Sequence, residues 1–240
     1  MDPITDTYWP VFKQEAEADV DKVRPIHLTC SICRELMTTS RSEPDHLKPK
    51  RPHAAWIMPC GHMFGWICIT KWLKQANDPD VNYHKCPICK TMLHHHPVCG
   101  HKSIGQLIPD EVTKYSHIPP LLSAGGLVSP ECSGCEAKRY MEQINDCTKI
   151  YEVPDPGLEE GQFVGTRMYI RDVEEIRGTR ASIEPPQIKV HQHARDFEMP
   201  GPLLTFWNTI QESWAIKADQ FWYDVDVREF EFVISVFQQA

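Results

Sequence analysis

The chain has 240 residues, 41% of them apolar, and its 33 acidic and 25 basic side chains leave a net charge of −8. That is enough apolar material for one large or two small globular cores. It excludes the clustered basic surface on which phosphate-backbone binding depends, so no nucleic-acid partner is expected. The charge is unevenly placed: residues 1–150 hold 17 acidic and 17 basic side chains, whereas residues 151–240 hold 16 and 8. No run approaches the roughly 18 apolar residues that a membrane span requires. Residues 1–20 are polar and acidic, without the basic and apolar stretches of a secretory leader. The expectation is a protein of the reduced cytosol or nucleus, without a membrane partner, in which paired cysteines among the ten signify metal rather than disulfides.

Residues 1–26 form an N-terminal arm. Tyr8, Trp9, Val11 and Phe12 precede an Ala- and acid-rich stretch, a pattern that predicts a short helix ended before Pro25. The pair Cys30-Ser31-Ile32-Cys33 follows, and then a polar, proline-bearing spacer of 26 residues. The spacer includes Lys48-Pro49-Lys50-Arg51, which reads as a solvated loop or a nuclear import signal. Ala54 to Met58 predicts a strand, and Met63-Phe64 its return, with Cys60-Gly61-His62 in the connecting turn. From Cys68 the apolar residues Ile69, Trp72 and Leu73 fall at helical spacing until Asn77-Asp78-Pro79. Cys86-Pro87-Ile88-Cys89 closes this region, residues 27–93.

Residues 94–150 begin with a His tract and Cys99-Gly100-His101, run through Pro and Gly to Cys132-Ser133-Gly134-Cys135, and end in a predicted helix over 136–149. In the acidic region 151–240, a helix is expected over 168–176 and irregular chain over 177–202. Two further helices are expected, one with Leu203, Leu204, Trp207, Ile210 and Trp214 on a face, the other with Phe230, Val233, Ile234 and Phe237. The whole reads as a small α+β zinc-bound finger followed by a mainly α-helical C-terminal region.

A structural zinc is held by four Cys or His ligands, and a Cys-x2-Cys turn supplies two of them. The order Cys30-x2-Cys33, long loop, Cys60-x-His62, Cys68, Cys86-Pro87-x-Cys89 resembles the RING finger of ubiquitin ligases. The resemblance implies a cross-brace in which alternate pairs share a zinc. Cys60, His62, Cys86 and Cys89 then make one complete site. The other has Cys30, Cys33 and Cys68, but Gly65 stands where the fold usually has its remaining ligand, three residues after His62. His53, seven residues before Cys60, is the candidate for that corner; this arrangement is similar to a glycine-bearing subset of RING fingers found in some fungal proteins and in a WD40-linked ligase. His27, Asp45 and His46 are the other candidates. A PHD finger needs a different ligand order, and a FYVE domain a basic cluster that does not occur here.

The resemblance further implies docking of a ubiquitin-charged conjugating enzyme, with Ile32, Trp72 and Pro87 as the apolar contact surface. Trp72 has a second reading, as part of a small core. Lys90, directly after the eighth ligand, is the candidate that bridges the conjugating enzyme and ubiquitin. The implied activity is that of a RING-type ubiquitin ligase acting on a protein substrate through positioning, without a covalent intermediate. The alternative is a non-catalytic zinc-binding scaffold with a RING-like fold. Outside that pattern, Cys99, His101, Cys132 and Cys135 have the spacing of a third zinc site, with His94, His95 or His96 able to replace His101.

Overall fold

The computed structural model describes residues 2–19, 21, 23–39, 53–74, 85–109, 111–148, 157–170, 191–197, 200–226, 228 and 230–239. The basic cluster Lys48 to Arg51, Asp45, His46 and the stop at Asn77 to Pro79 lie outside them. In chain order the elements are α1 (Trp9–Ala18), β1 (Leu28–Thr29), β2 (Leu36–Met37), β3 (Ala55–Ile57), β4 (Met63–Gly65), α2 (Trp66–Lys74), β5 (Gln106–Leu107) and β6 (Leu127–Val128). They continue with α3 (Ser133–Thr148), β7 (Gln162–Ile170), β8 (His191–Phe197), α4 (Gly201–Ala218), β9 (Phe221–Trp222) and β10 (Phe230–Gln239). Two compact units result: Met1–Cys132 with Lys217–Val225, and Ser133–Ile216 with Asp226–Ala240.

In the first unit, α1 tolerates Pro10 because the first-turn N–H groups of a helix have no intrahelical partner to lose. Its buried stripe is Trp9, Phe12 and Ala16. Trp9 and Phe12 close on Tyr115, with ring centroids 5.0 and 5.9 Å away. Each aromatic ring buried here removes a large apolar area from water, which stabilises by about 2–3 kcal/mol. The arm goes further than packing. Met63 N–H donates to Thr7 O at 2.8 Å and Trp9 N–H to Gly61 O at 2.7 Å, so the stretch before α1 runs along the Cys-x-His turn as an added edge.

β3 is the centre of a three-stranded sheet ordered β4-β3-β5. Ala55, Trp56 and Ile57 pair antiparallel with Gly65, Phe64 and Met63, and Trp56 and Ile57 pair with Leu107 and Gln106. Because β3 has neighbours on both edges, Ala55, Trp56 and Ile57 are all buried. β6 and β9 pair in parallel, bringing residues 221–222 into the first unit. Asp224, just beyond β9, accepts N–H bonds from Ile104 and Gly105 at 3.0 and 2.9 Å and the Ser103 hydroxyl at 3.1 Å. One carboxylate oxygen thus satisfies the backbone entering β5.

The second unit is α+β, which corrects the mainly helical expectation for the C-terminal region. Its three-stranded antiparallel sheet is ordered β7-β10-β8. Residues 230–237, expected as a helix, lie in β10 at the centre of this sheet, paired from Phe230↔Ile170 to Gln238↔Gln162. Phe230, Val233, Ile234 and Phe237 do have helical spacing, but Phe230, Phe232, Ile234 and Val236 alternate with period two and all four are buried, whereas Val233 of the helical set is only half-buried. Phe and β-branched residues suit a pleated surface, and sheet pairing on both edges decided between the two periods. Residues 168–170 are likewise strand, in β7, while 171–176 lie outside the described residues. Within the stretch expected to be irregular, 191–197 form β8 and Gly201 and Pro202 open α4.

The expected helix over 136–149 is observed as α3, starting at Ser133. α4 buries Leu203, Trp207, Ile210 and Trp214, and Trp207 meets Phe232 of β10 edge-on at 4.4 Å. Ser235 donates its hydroxyl to Asp196 at 2.6 Å across β10 and β8. Among the described residues, no helix is long and apolar enough to cross a membrane.

Candidate metal centres and docking surface

The first unit gathers two Cys/His quartets, each with its ligand atoms within 4.8 Å of one another: Cys30, Cys33, His53 and Cys68, and Cys60, His62, Cys86 and Cys89. They interleave along the chain. Cys30 and Cys33 sit in the turn joining β1 and β2, His53 leads into β3, and Cys68 is in the first turn of α2. Cys60 and His62 occupy the turn between β3 and β4, and Cys86 and Cys89 a second tight turn. Each quartet therefore joins parts of the chain that the other encloses, and together they fasten the β3–β4 hairpin on both sides.

Zn–S near 2.3 Å and Zn–N near 2.0 Å in a tetrahedron put sulfur and nitrogen about 3.5 Å apart. The observed separations fit: Cys33 Sγ to His53 Nε2 is 3.3 Å, Cys60 Sγ to His62 Nδ1 3.5 Å, and Cys86 Sγ to His62 Nδ1 3.7 Å. The electrostatics are compatible with a cation. Burial raises the Cys68 thiol to about 12, helped by the neighbouring Cys33 and Cys30. Cys60 is pushed up by sharing a proton with Cys86 and by burial. Cys86 falls to about 5, chiefly through the hydrogen bond from Cys60, with the N–H groups of Cys89 and Ile88 assisting against burial. Burial raises Cys30 as well, but His53 and the N–H groups of Cys33, Gly65 and Ile32 outweigh it and bring the thiol to about 6. In each quartet one thiolate is favoured and its neighbour opposed, the pattern of like charges crowded at a point that a divalent cation neutralises.

Gly65 explains the unusual fourth corner of the first quartet. A Cβ on Gly65 would stand 1.8 Å from His53 Cε1, 2.2 Å from Nε2 and 2.4 Å from Nδ1. The His53 ring fills the space a side chain at 65 would use, and it is 4% exposed there. Gly65 still contributes through its backbone, donating N–H to Cys30 Sγ at 3.4 Å. Of the rival ligands, His27 is exposed and outside the quartet, and Asp45 and His46 lie outside the described residues. Thr91, which the spacing did not single out, places its hydroxyl 3.0 Å from Cys89 Sγ.

The residues expected at the docking surface are differently disposed. Ile32 is 38% exposed at the tip of its turn, and Pro87 is half-buried. Trp72 is also half-buried and donates its indole N–H to Lys85 O at 3.2 Å, which ties α2 to the turn of Cys86 and Cys89. It thus has a structural task beside any surface it offers. Ile88, beside Pro87, is 45% exposed and was not singled out from the sequence. Lys90 is exposed, with φ 59°, and its ammonium donates to Pro87 O at 2.8 Å.

Cys99, His101 and Cys132 converge in the first unit, with His101 Nδ1 3.3 Å from Cys132 Sγ and Cys132 N–H on Cys99 Sγ at 3.4 Å. Cys135, three residues after Cys132, lies in the first turn of α3, which opens the second unit. His94 and His95 are exposed. His96 is buried, with Nδ1 2.8 Å from Ser129 O and Nε2 3.5 Å from a carboxylate oxygen of Asp224, an ion-pair distance rather than a short hydrogen bond.

Residues 28–90 match the family model of the Ring finger domain. The chain is 30% identical over 119 residues to an uncharacterised RING finger protein of Schizosaccharomyces pombe, an alignment covering 47% of this chain and 14% of that protein. It is 34% identical over 67 residues to the E3 ubiquitin-protein ligase RFWD3 of Mus musculus, covering 28% of this chain and 7% of that protein. The chain thus spans about a seventh of one relative and less than a tenth of the other. No solved structure matches it. Residues 28–90 are a RING finger, and their two quartets are Cys/His sites compatible with zinc.

Proposed function

We propose that this RING-bearing chain is a ubiquitin ligase whose finger docks a ubiquitin-charged conjugating enzyme and presents its thioester to a lysine of a protein substrate. The observation that carries the reading is the pair of interleaved quartets within the matched residues, with Ile32 and Pro87 held at the tips of their two turns. Bound at those quartets, two Zn²⁺ ions supply charge neutralisation and fix the fold; they take no part in the transfer. Cys30, Cys33, His53 and Cys68 hold one, and Cys60, His62, Cys86 and Cys89 the other.

The work of this chain is positional. A thioester and an amine brought together in a productive orientation react faster because the orientational entropy has already been lost on binding. Ile32 and Pro87 serve as apolar anchors on turns that cannot deform without releasing metal, with Trp72 fixing the helix beside them. An anchor of this kind loses little conformational freedom on docking, so more of its buried area appears as affinity. Lys90 is the group that reaches both partners, after exchanging its bond to Pro87 O for one to the conjugating enzyme or ubiquitin. Its ammonium makes point contacts, without the planar fork of an arginine.

The test is ubiquitin-chain formation by the purified chain with a panel of conjugating enzymes, with zinc counted in the same sample. Ile32→Ala should abolish or strongly weaken transfer while leaving zinc content and melting temperature near wild type. Truncating an interface anchor costs about 1–2 kcal/mol, a roughly fivefold to thirtyfold loss of affinity. Full metal content with no transfer by any enzyme of the panel would favour the scaffold reading.

A further inference from the structure

The turn at residues 96–101 repeats, bond for bond, the two turns that carry the RING thiols. In the first, Cys30 N–H donates to Glu35 O at 2.9 Å, Arg34 N–H returns to Cys30 O at 2.8 Å, and Arg34 has φ 67°. In the second, Cys86 N–H donates to Thr91 O at 2.9 Å, Lys90 N–H returns to Cys86 O at 3.0 Å, and Lys90 has φ 59°. In the third, His96 N–H donates to His101 O at 2.8 Å, Gly100 N–H returns to His96 O at 2.8 Å, and Gly100 has φ 69°. The flanking backbone agrees too: Thr29 pairs with Leu36, Lys85 with Met92, and His95 with Lys102, in each case the residue just before the turn with the residue just after it.

This shape has a use. Successive N–H groups inside such a turn point toward one spot and favour negative charge there, which stabilises a thiolate. At the third turn the first ligand position is His96 and the fourth is Cys99. His96 is 1% exposed and committed elsewhere, to Ser129 O and the Asp224 carboxylate. Its replacement is His101, whose Nδ1 stands 3.3 Å from Cys132 Sγ, while Cys132 N–H points at Cys99 Sγ. Val98 N–H donates to Pro130 O at 2.8 Å, so a backbone hydrogen bond independent of any metal holds the segment bearing Cys132 beside the turn.

We propose that Cys99, His101 and Cys132, with Cys135 three residues along the chain from Cys132, hold a third structural zinc that is separate from the RING finger. A Cys₃His set is thiolate-rich and four-coordinate, which selects zinc among common intracellular cations and leaves no open position for catalysis. Its effect is to lock the 96–101 turn to the segment ending at Cys132, beside β5, which forms an edge of the RING sheet.

The experiment is native mass spectrometry of the full chain, with metal analysis of the same sample and cobalt(II) exchange. The wild type should carry three zinc ions, Cys99→Ser and Cys132→Ser two. His96→Gln should keep three. His101→Cys should also keep three, with the cobalt form gaining the stronger thiolate charge-transfer absorption of a four-sulfur site. Two zinc ions in the folded wild type would overturn the proposal even if ubiquitin transfer proceeds, so it fails separately from the ligase reading. Loss of one ion in His96→Gln but not in His101→Ala would overturn the ligand assignment. If a serine variant does not fold, the wild-type count and the His101→Cys spectrum still decide.

Discussion

Replacing Gly65 by alanine adds one methyl group, yet it should cost the RING finger a zinc ligand. The new Cβ would stand 1.8 Å from the His53 ring, roughly half a normal contact distance, so the imidazole must leave its place. The atoms on either side are constrained: Gly65 is in β4, paired with Ala55, and His53 leads directly into β3 through Ala54. Structural zinc binding in small fingers is worth about 10–16 kcal/mol at neutral pH, so one ligand of four represents about 3 kcal/mol, or two orders of magnitude in affinity. Competition with a chromogenic chelator reads this directly: one zinc of Gly65→Ala should transfer about a hundredfold more readily than in wild type. His53→Ala should show the same defect. The double variant Gly65→Ala, His53→Ala should be no worse than either single one, because both act by removing the same imidazole. Wild-type zinc affinity in Gly65→Ala, or additive losses in the double variant, would refute the argument that glycine is present to admit His53.

Cys86→Ser should release the zinc of the second quartet and melt the finger, because metal binding energy at such sites is folding energy; circular dichroism and metal analysis read both losses together. Trp72→Phe removes the indole N–H from Lys85 O and should lower stability by about 1–2 kcal/mol, seen as a drop of a few degrees in Tm with zinc content unchanged. His96 supplies a pH prediction. Burial lowers its pKa, but the Asp224 carboxylate and Ser129 carbonyl outweigh burial and raise it above the ordinary 6.5. A raised value means that the folded state binds the proton more tightly than the unfolded chain does. The contribution is complete below pH 6.5 and is lost as the pH rises through the folded-state value. The Tm advantage of wild type over His96→Gln should therefore narrow between pH 6 and pH 9; a gap that widens with pH would contradict the assigned charge state.

Much of the arrangement of the candidate metal centres was legible because it is local. Cys30 and Cys33, or Cys86 and Cys89, lie three residues apart, and a single turn decides where both thiols point, whatever the rest of the chain does. Helices α1, α3 and α4 were equally readable, since a buried stripe such as Leu203, Trp207, Ile210 and Trp214 repeats with the helix period and with no other. The vacancy at Gly65 also pointed to His53. That the His53 ring fills the space above Gly65 was decided only when β3 and β4 paired, because the two residues are twelve apart in sequence and meet through strand register.

The misreading of β10 has the same origin. Phe230, Val233, Ile234 and Phe237 satisfy one period while Phe230, Phe232, Ile234 and Val236 satisfy the other, and a ten-residue segment that fits both carries no internal arbiter. Pairing with β7 and β8 supplied it. Asp224 is the furthest case: an unremarkable carboxylate in sequence, it satisfies backbone N–H groups 119 and 120 residues away and faces His96. The identity and spacing of the Cys and His residues in each turn were thus determined by the sequence itself, since covalent connection sets geometry within a turn. Which strand lies beside which, and which polar groups meet at long range, was decided by tertiary structure, because burying apolar faces and satisfying backbone hydrogen bonds are conditions on the whole chain at once.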